Sequence, residues 1–324
     1  MSYRVVTLDK GFDAFVEVLA NKGITEKKEV LAKPQVKPLL DYFKQLNPQT
    51  MIVENDYVDG DYLTDYAAYH VKCFNGYKKK TVRLLFFDFC FDKDWFARLL
   101  SRTPADNFEN DIKKLTESYL GFVVVRPLPR RMLGKVALKT YPEGIQITEN
   151  GTTYRRFYPA KRPIESSLFG ITLKTDSLLF QEQDDSVSAC ATSAIFCALN
   201  KTSYLFNHRQ LSPYQITRAA VEGLPITNGR TFPNEGLTSE QMLNAFASVN
   251  LEPHCVGISP IANDIDKGKI PMSATLFKEY VYAYLKSGIP IILGLHLFRK
   301  ERRIFEDKSR AQERWMPLYA VKCF

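Results

Sequence analysis

The sequence predicts an α+β protein in two parts. A separate α+β domain covers residues 1–163. A C-terminal domain follows over 164–324, with a helical half and then a small antiparallel β half. Three observations carry this reading. A chain of 324 residues is long for one hydrophobic core. Helix-period apolar segments and Asn-Gly hairpin patterns occur together in its first half. Pro159 to Pro163 is a basic, proline-bounded crossing, the best place for a boundary.

In chain order, Phe12 to Leu19 and Val36 to Leu46 carry apolar residues at helical spacing, and Met51-Ile52-Val53 reads as a brief strand. Tyr66 to Phe74 and Thr81 to Phe89 read as hairpin arms around Asn75-Gly76. The second arm, from Val82, is almost continuously apolar, as a central strand would be. Asp92 to Arg102 and Asp106 to Tyr119 give helices. Gly121 to Val125 is a strand ended by Pro127, which cannot donate to a ladder. Gly144 to Thr148 and Thr152 to Tyr158 form a second hairpin. In the other half, Gly170 to Phe180 reads as a strand. Ser212-Pro213 and Thr238 with Gln241 mark helix starts, the latter as a capping box. A short strand near Pro253 to Ile258, a helix over Ser273 to Lys286 and a buried strand Ile291 to Leu295 come next. A charged excursion, Phe298 to Arg314, precedes a last strand from Met316 to Phe324.

Composition narrows the classes of function. The apolar share of 45% and charged share of 25% are those of an ordinary soluble protein. No apolar run approaches the roughly 20 residues of a membrane helix, and the N-terminus lacks the order of a secretory signal. No membrane association is expected. Six scattered cysteines form no CxxC pair, so disulfides and a zinc ribbon are not expected and a reducing cytoplasm is. The first half holds no phosphate-binding glycine loop, and no cofactor or metal is predicted. Gly121 to Pro163 carries Arg126, Arg130, Arg131, Lys135, Lys139, Arg155, Arg156, Lys161 and Arg162 against Glu143 and Glu149. Such a segment meets nucleic acid or an acidic partner, or is simply a solvated connector.

The chemistry concentrates in Gln183 to Ile195. A polar, turn-prone run with N-cap types Ser186 and Ser188 ends at Cys190, and an Ala-rich apolar segment follows at once. A loop would thus deliver one thiol to the first turn of a buried helix, where the macrodipole favours the thiolate. A glutamine just upstream could donate an N–H to an oxyanion beside that sulfur. The plain alternative is a small buried cysteine on a core helix.

The ordered set of a Gln, a helix-starting Cys, "LSPYQI", "GLTSEQML", "LKSGIPIILGL" and a final apolar strand resembles the papain-like cysteine peptidases. It is most similar to their bacteriocin-processing, double-glycine-leader group. The resemblance covers about residues 165–324. It implies a papain-like C-terminal domain acting on a peptide or protein, with Cys190 as nucleophile and Gln183 as the oxyanion glutamine, Gln181 being the other register. It implies a general-base histidine in Leu318-Tyr319-Ala320-Val321, where Tyr319 stands instead. Tyrosine, with a pKa of about 10, is a poor base at neutral pH. The orienting Asn or Asp would come beyond Phe324, so the β half reads as shortened and the activity as impaired. His296, after the "IPIILGL" strand, is the substitute base if that strand pairs with Met316 to Val321. For His296 and His254 alike the plain reading is a structural or surface residue, His208 reads as part of a loop before a helix, and His70 belongs to the other domain, remote from Cys190. The expectations are therefore a thiol hydrolase, a non-catalytic peptide- or partner-binding module of the same fold, or an acidic-partner function of the basic N-terminal part.

Overall fold

Val82 to Phe87 and Phe122 to Val125 are apolar at almost every position, which requires strands covered on both faces. The computed structural model describes the chain except residues 1–2, 9–10, 24–25, 75, 102–106, 129–130, 150, 185–189, 224–235, 257, 260–269, 272–273, 304–311 and 324. The elements run β1 (Tyr3–Thr7), α1 (Asp13–Gly23), α2 (Lys27–Leu31), α3 (Val36–Leu46), β2 (Thr50–Tyr57), α4 (Gly60–Ala68), β3 (Thr81–Phe87), α5 (Lys93–Ser101), α6 (Phe108–Glu117), β4 (Tyr119–Val125) and β5 (Leu133–Leu138). Then come β6 (Gln146–Glu149), β7 (Thr152–Arg155), β8 (Arg162–Leu168), β9 (Ile171–Ser177), β10 (Phe180–Gln181), α7 (Cys190–Phe206), α8 (Pro213–Val221) and α9 (Ser239–Ala247). The last are β11 (Ile258–Ser259), β12 (Ile270–Pro271), α10 (Ala274–Lys286), β13 (Ile292–Arg303) and β14 (Gln312–Cys323). The architecture is α+β.

The main sheet is antiparallel, in the order β1-β2-β3-β4-β5-β10. Alternation divides its residues between two layers. Met51, Val53, Leu84, Phe86 and Val123 pack with Phe15, Leu19 and Phe43 of α1 and α3. Ile52, Leu85, Phe87, Phe122 and Val124 face the other way. They join Phe96, Leu115, Ile164, Leu173, Ile195, Leu199, Ile216 and Ala245 in one core. Each fully buried Leu or Phe of this kind contributes about 2 kcal/mol. Arg83 and Glu54, register partners on β3 and β2, form a buried ion pair at 2.7 Å.

Several expectations need correction. Tyr66 to Phe74 is not a hairpin arm. Asp59 caps α4 by accepting the Tyr62 N–H, and Tyr62 and Asp65 share the buried face that follows. The crossing at Pro159 to Pro163 runs directly into β8, which pairs with β9 through Phe169 and Gly170, both with positive φ. The second core layer draws on residues from Ile52 to Val249, and β10 completes the first-half sheet. Sheet and core thus continue across residue 163. The excursion over Phe298 to Arg314 is instead the paired limbs of a hairpin, β13 with β14, with only 304–311 outside the described residues. Near Pro253, strand structure begins only at Ile258. Within 250–324 the described strands are two two-stranded ladders, β11–β12 and β13–β14. No described helix is long and apolar enough to cross a membrane.

One glycine is fixed by geometry. Gly121 has φ +122°, and a Cβ there would lie 2.0 Å from the Ala137 carbonyl oxygen. Gly151 has φ +75° but open space around it. Gly121→Ala should therefore lower stability by about 3 kcal/mol or more. Gly151→Ala should cost about 1 kcal/mol. Urea midpoints of the two variants check this, and equal losses would contradict it.

Candidate functional site

Cys190 is the first residue of α7 and is half-buried. The preceding residues 185–189, including Ser186 and Ser188, lie outside the described residues. The helix behind it is apolar almost all round, with Ala191, Ile195, Phe196 and Leu199 buried. Its polar residues find partners. Thr192 meets Thr217 of α8 at 3.3 Å, Asn200 accepts from Arg162 Nε at 2.7 Å, and Lys201 donates to the Lys161 carbonyl at 2.9 Å. A helix so enclosed is a rigid mount for its first residue.

The second thiol of α7 differs sharply. Burial pushes the Cys197 thiol up to about 11, even though a hydrogen bond from the Gln181 backbone lowers it. At neutral pH it is protonated and inert. The same contact sets Gln181 level with Cys197, two turns or about 10 Å along the helix from Cys190. Gln183 is exposed and lies on the chain's path from that level back toward Cys190.

The histidines separate by position. His208 Nε2 bonds Thr202 Oγ1 at 2.8 Å and Nδ1 bonds the Arg209 carbonyl at 2.9 Å. Thr202 is roughly 18 Å along α7 from Cys190, so His208 closes the far end of the helix. His254 Nδ1 meets the Tyr284 hydroxyl at 2.6 Å on α10. His296 and Tyr319 are direct register partners in the β13–β14 ladder. Both of these strands pack against α7.

His70, read from the sequence as remote, lies in the network that holds the approach to Cys190. It is buried beside Asp184 and Arg126, and burial lowers its pKa against the pull of Asp184. Its Nδ1 has no hydrogen-bond partner among the described residues. Arg126 Nη1 pairs with Asp184 Oδ2 at 3.3 Å, and its Nη2 donates to the Glu182 carbonyl at 3.1 Å. Glu182 accepts from the Leu133 N–H at 2.8 Å and from Gln35, and Arg131 lies 3.9 Å away. Burial raises the Glu182 pKa. Asp65 Oδ1 accepts the Tyr214 N–H at the start of α8 at 2.9 Å. The sequence analysis missed Asp65, His70, Arg126, Glu182 and Asp184 as a set. The one available signal was a pair of acidic residues, Glu182 and Asp184, so close to a buried helix.

This network also absorbs much of the basic segment. Arg126, Arg131, Lys135, Lys161 and Arg162 all meet acidic or amide partners inside the molecule, while Lys139 and Arg155 stay exposed. Among the described residues no group of three or more His, Cys, Asp or Glu could hold a metal ion. No protein-family model, curated protein or solved structure matches the chain.

Burial raises the Asp65 carboxyl from 3.8 to about 8, opposed by the Tyr214 N–H and Arg126 and reinforced by Asp184 and Asp61. The folded state therefore favours the protonated acid. Its contribution is fully present below the unfolded value and is lost as pH rises through about 8. Asp65→Asn keeps an acceptor and removes this dependence. Its melting temperature relative to wild type should rise between pH 5 and about pH 8 and level off above that, and a constant difference across the range would contradict the assignment.

Proposed function

We propose that the chain is a papain-like thiol hydrolase acting on a peptide or amide bond, with Cys190 as nucleophile. His296 serves as its base, and Gln183 is the side-chain donor to the oxyanion. The observation that carries this reading is the pairing of His296 with Tyr319 on a ladder packed against the helix that Cys190 opens. The resemblance expects an imidazole at position 319. His296 is the register partner of that position across the ladder.

The chemistry follows from the groups. His296 takes the Cys190 proton, and the thiolate attacks the carbonyl carbon. Charge on the carbonyl oxygen is met by the Gln183 amide and the free N–H groups of the first helical turn. The imidazolium then gives its proton to the leaving amine as the C–N bond breaks. Water, activated by the same imidazole, releases the acyl group and restores the thiol.

A second reading is a binding module of the same fold that holds a peptide or partner without cleaving it. The tyrosine at position 319 favours it, because loss of the base from a coupled unit lowers rates by orders of magnitude. A role in nucleic-acid binding has less support, since four of the nine basic residues of that segment, Arg126, Arg131, Lys135 and Lys161, are paired with carboxylates.

Alkylation by iodoacetamide across pH 5 to 9, with Cys190→Ala as blank, separates these readings. In the hydrolase, Cys190 reacts well below pH 8, His296→Gln removes that reactivity, and Tyr319→His increases it. A wild-type profile that rises only near pH 8.5, as for a free thiol, would sink the hydrolase. Peptide capture without turnover would then support the binding module.

A further inference from the structure

We propose that Arg126 is a positioning residue for Cys190, anchoring Glu182 and Asp184 ahead of the helix that the thiol opens. The inference rests on the thiol-hydrolase reading and concerns control of that same site from the other half of the chain.

Arg126 directly follows β4, the most enclosed strand of the sheet, and is 3% exposed. Its fork takes two points on the loop, the Glu182 carbonyl and the Asp184 carboxylate, with Asp184 itself 6% exposed. Only guanidinium holds both at fixed angles, because an ammonium is a point charge without a planar fork. Glu182 is in turn fixed to the Leu133 N–H of β5 and to Gln35 ahead of α3. From Asp184, six chain steps reach Cys190, a span of at most about 20 Å. The cluster also grips the other side of the helix start. Asp65, which feels both Arg126 and Asp184, caps α8 at Tyr214. One turn further on, Thr217 bonds Thr192, two residues into α7. The first half of the chain therefore holds Glu182 and Asp184 ahead of the thiol through Arg126, and the start of α8 through Asp65 of α4. A buried cation with two acceptors on a loop is a costly way to fix a chain that a plain apolar contact could hold. It sets direction as well as position, as a nucleophile requires.

The test compares Arg126→Lys with Arg83→Lys in the full chain. Arg83 is an equally buried arginine, paired to Glu54 on the neighbouring strands and away from the loop. Iodoacetamide labelling at pH 5 to 9 is resolved by peptide mass, with the exposed Cys90 and Cys255 as internal standards. Amide exchange is followed over residues 182–192. Arg126→Lys should slow Cys190 on the order of 10-fold or more at pH 7, flatten its pH profile and speed exchange in that segment. Cys90 and Cys255 should be unaffected. Arg83→Lys should lower the melting temperature without any of these changes. Unchanged exchange over 182–192 in Arg126→Lys, or equal effects from Arg83→Lys, overturns the proposal. Exchange reads the loop even where wild-type Cys190 proves an ordinary thiol, so failure of the hydrolase reading is seen separately. If Arg126→Lys does not fold, Asp184→Asn removes the same ion pair at nearly constant shape and is held to the same outcomes.

Discussion

Burial of one antiparallel sheet on both faces is the constraint from which the rest of this structure follows. Strands β3 and β4 carry apolar side chains both ways, so neither face can be left in water without exposing a row of Leu, Val and Phe. Helices α1 to α3 cover one face. The other needs α5, α6, the β8–β9 hairpin and then α7, α8 and α9. The helix that begins at Cys190 is thus part of the cover for a sheet whose strands β1 to β3 lie more than a hundred positions earlier. Its placement is a consequence of that sheet.

The same constraint explains why charges gather where they do. Glu182 and Asp184, between the sheet edge at β10 and α7, are buried on either side of the exposed Gln183. Buried polar groups need partners. Arg126 supplies them to the Glu182 carbonyl and the Asp184 carboxylate, Leu133 and Gln35 to the Glu182 side chain, and Tyr214 to Asp65. The ion pair of Arg83 and Glu54 plays a simpler part within the sheet. A slip of one residue between β2 and β3 would put the two charges on opposite faces, each unpaired in an apolar layer, so the pair fixes register.

Local pattern made many elements legible. Helix α3 has the predicted limits, Ser212 caps α8, Thr238 and Gln241 form their capping box, and the hairpin turning at Gly151 pairs Glu149 with Thr152. The failures were of two physical kinds. Tyr66 to Phe74 was misread because the Asn75-Gly76 turn signal is local, whereas its helix is set by the cap at Asp59 and by burial of Tyr62 and Asp65 against distant residues. The limbs of the β13–β14 hairpin were misread because charge suggested a loop, while ladder pairing depends on the partner strand. Of the candidate site, Cys190 at a helix start was legible from caps and composition. The cross-ladder relation of His296 to Tyr319 was stated only as a condition. The Arg126 network was invisible, because its members are far apart in sequence and share no spacing.

The two sides of the sheet are completed at very different moments of synthesis. The face covered by α1 to α3 has all its residues once Leu138 has been made, while the other waits for helices that end near Val249. At ordinary elongation rates that interval is on the order of 10 s. Throughout it, a folded first layer presents an incompletely covered apolar surface at the ribosome, joined until β10 is made by an open β5 edge. The nascent chain is therefore most exposed to misassociation while it still lacks the helix that carries its thiol.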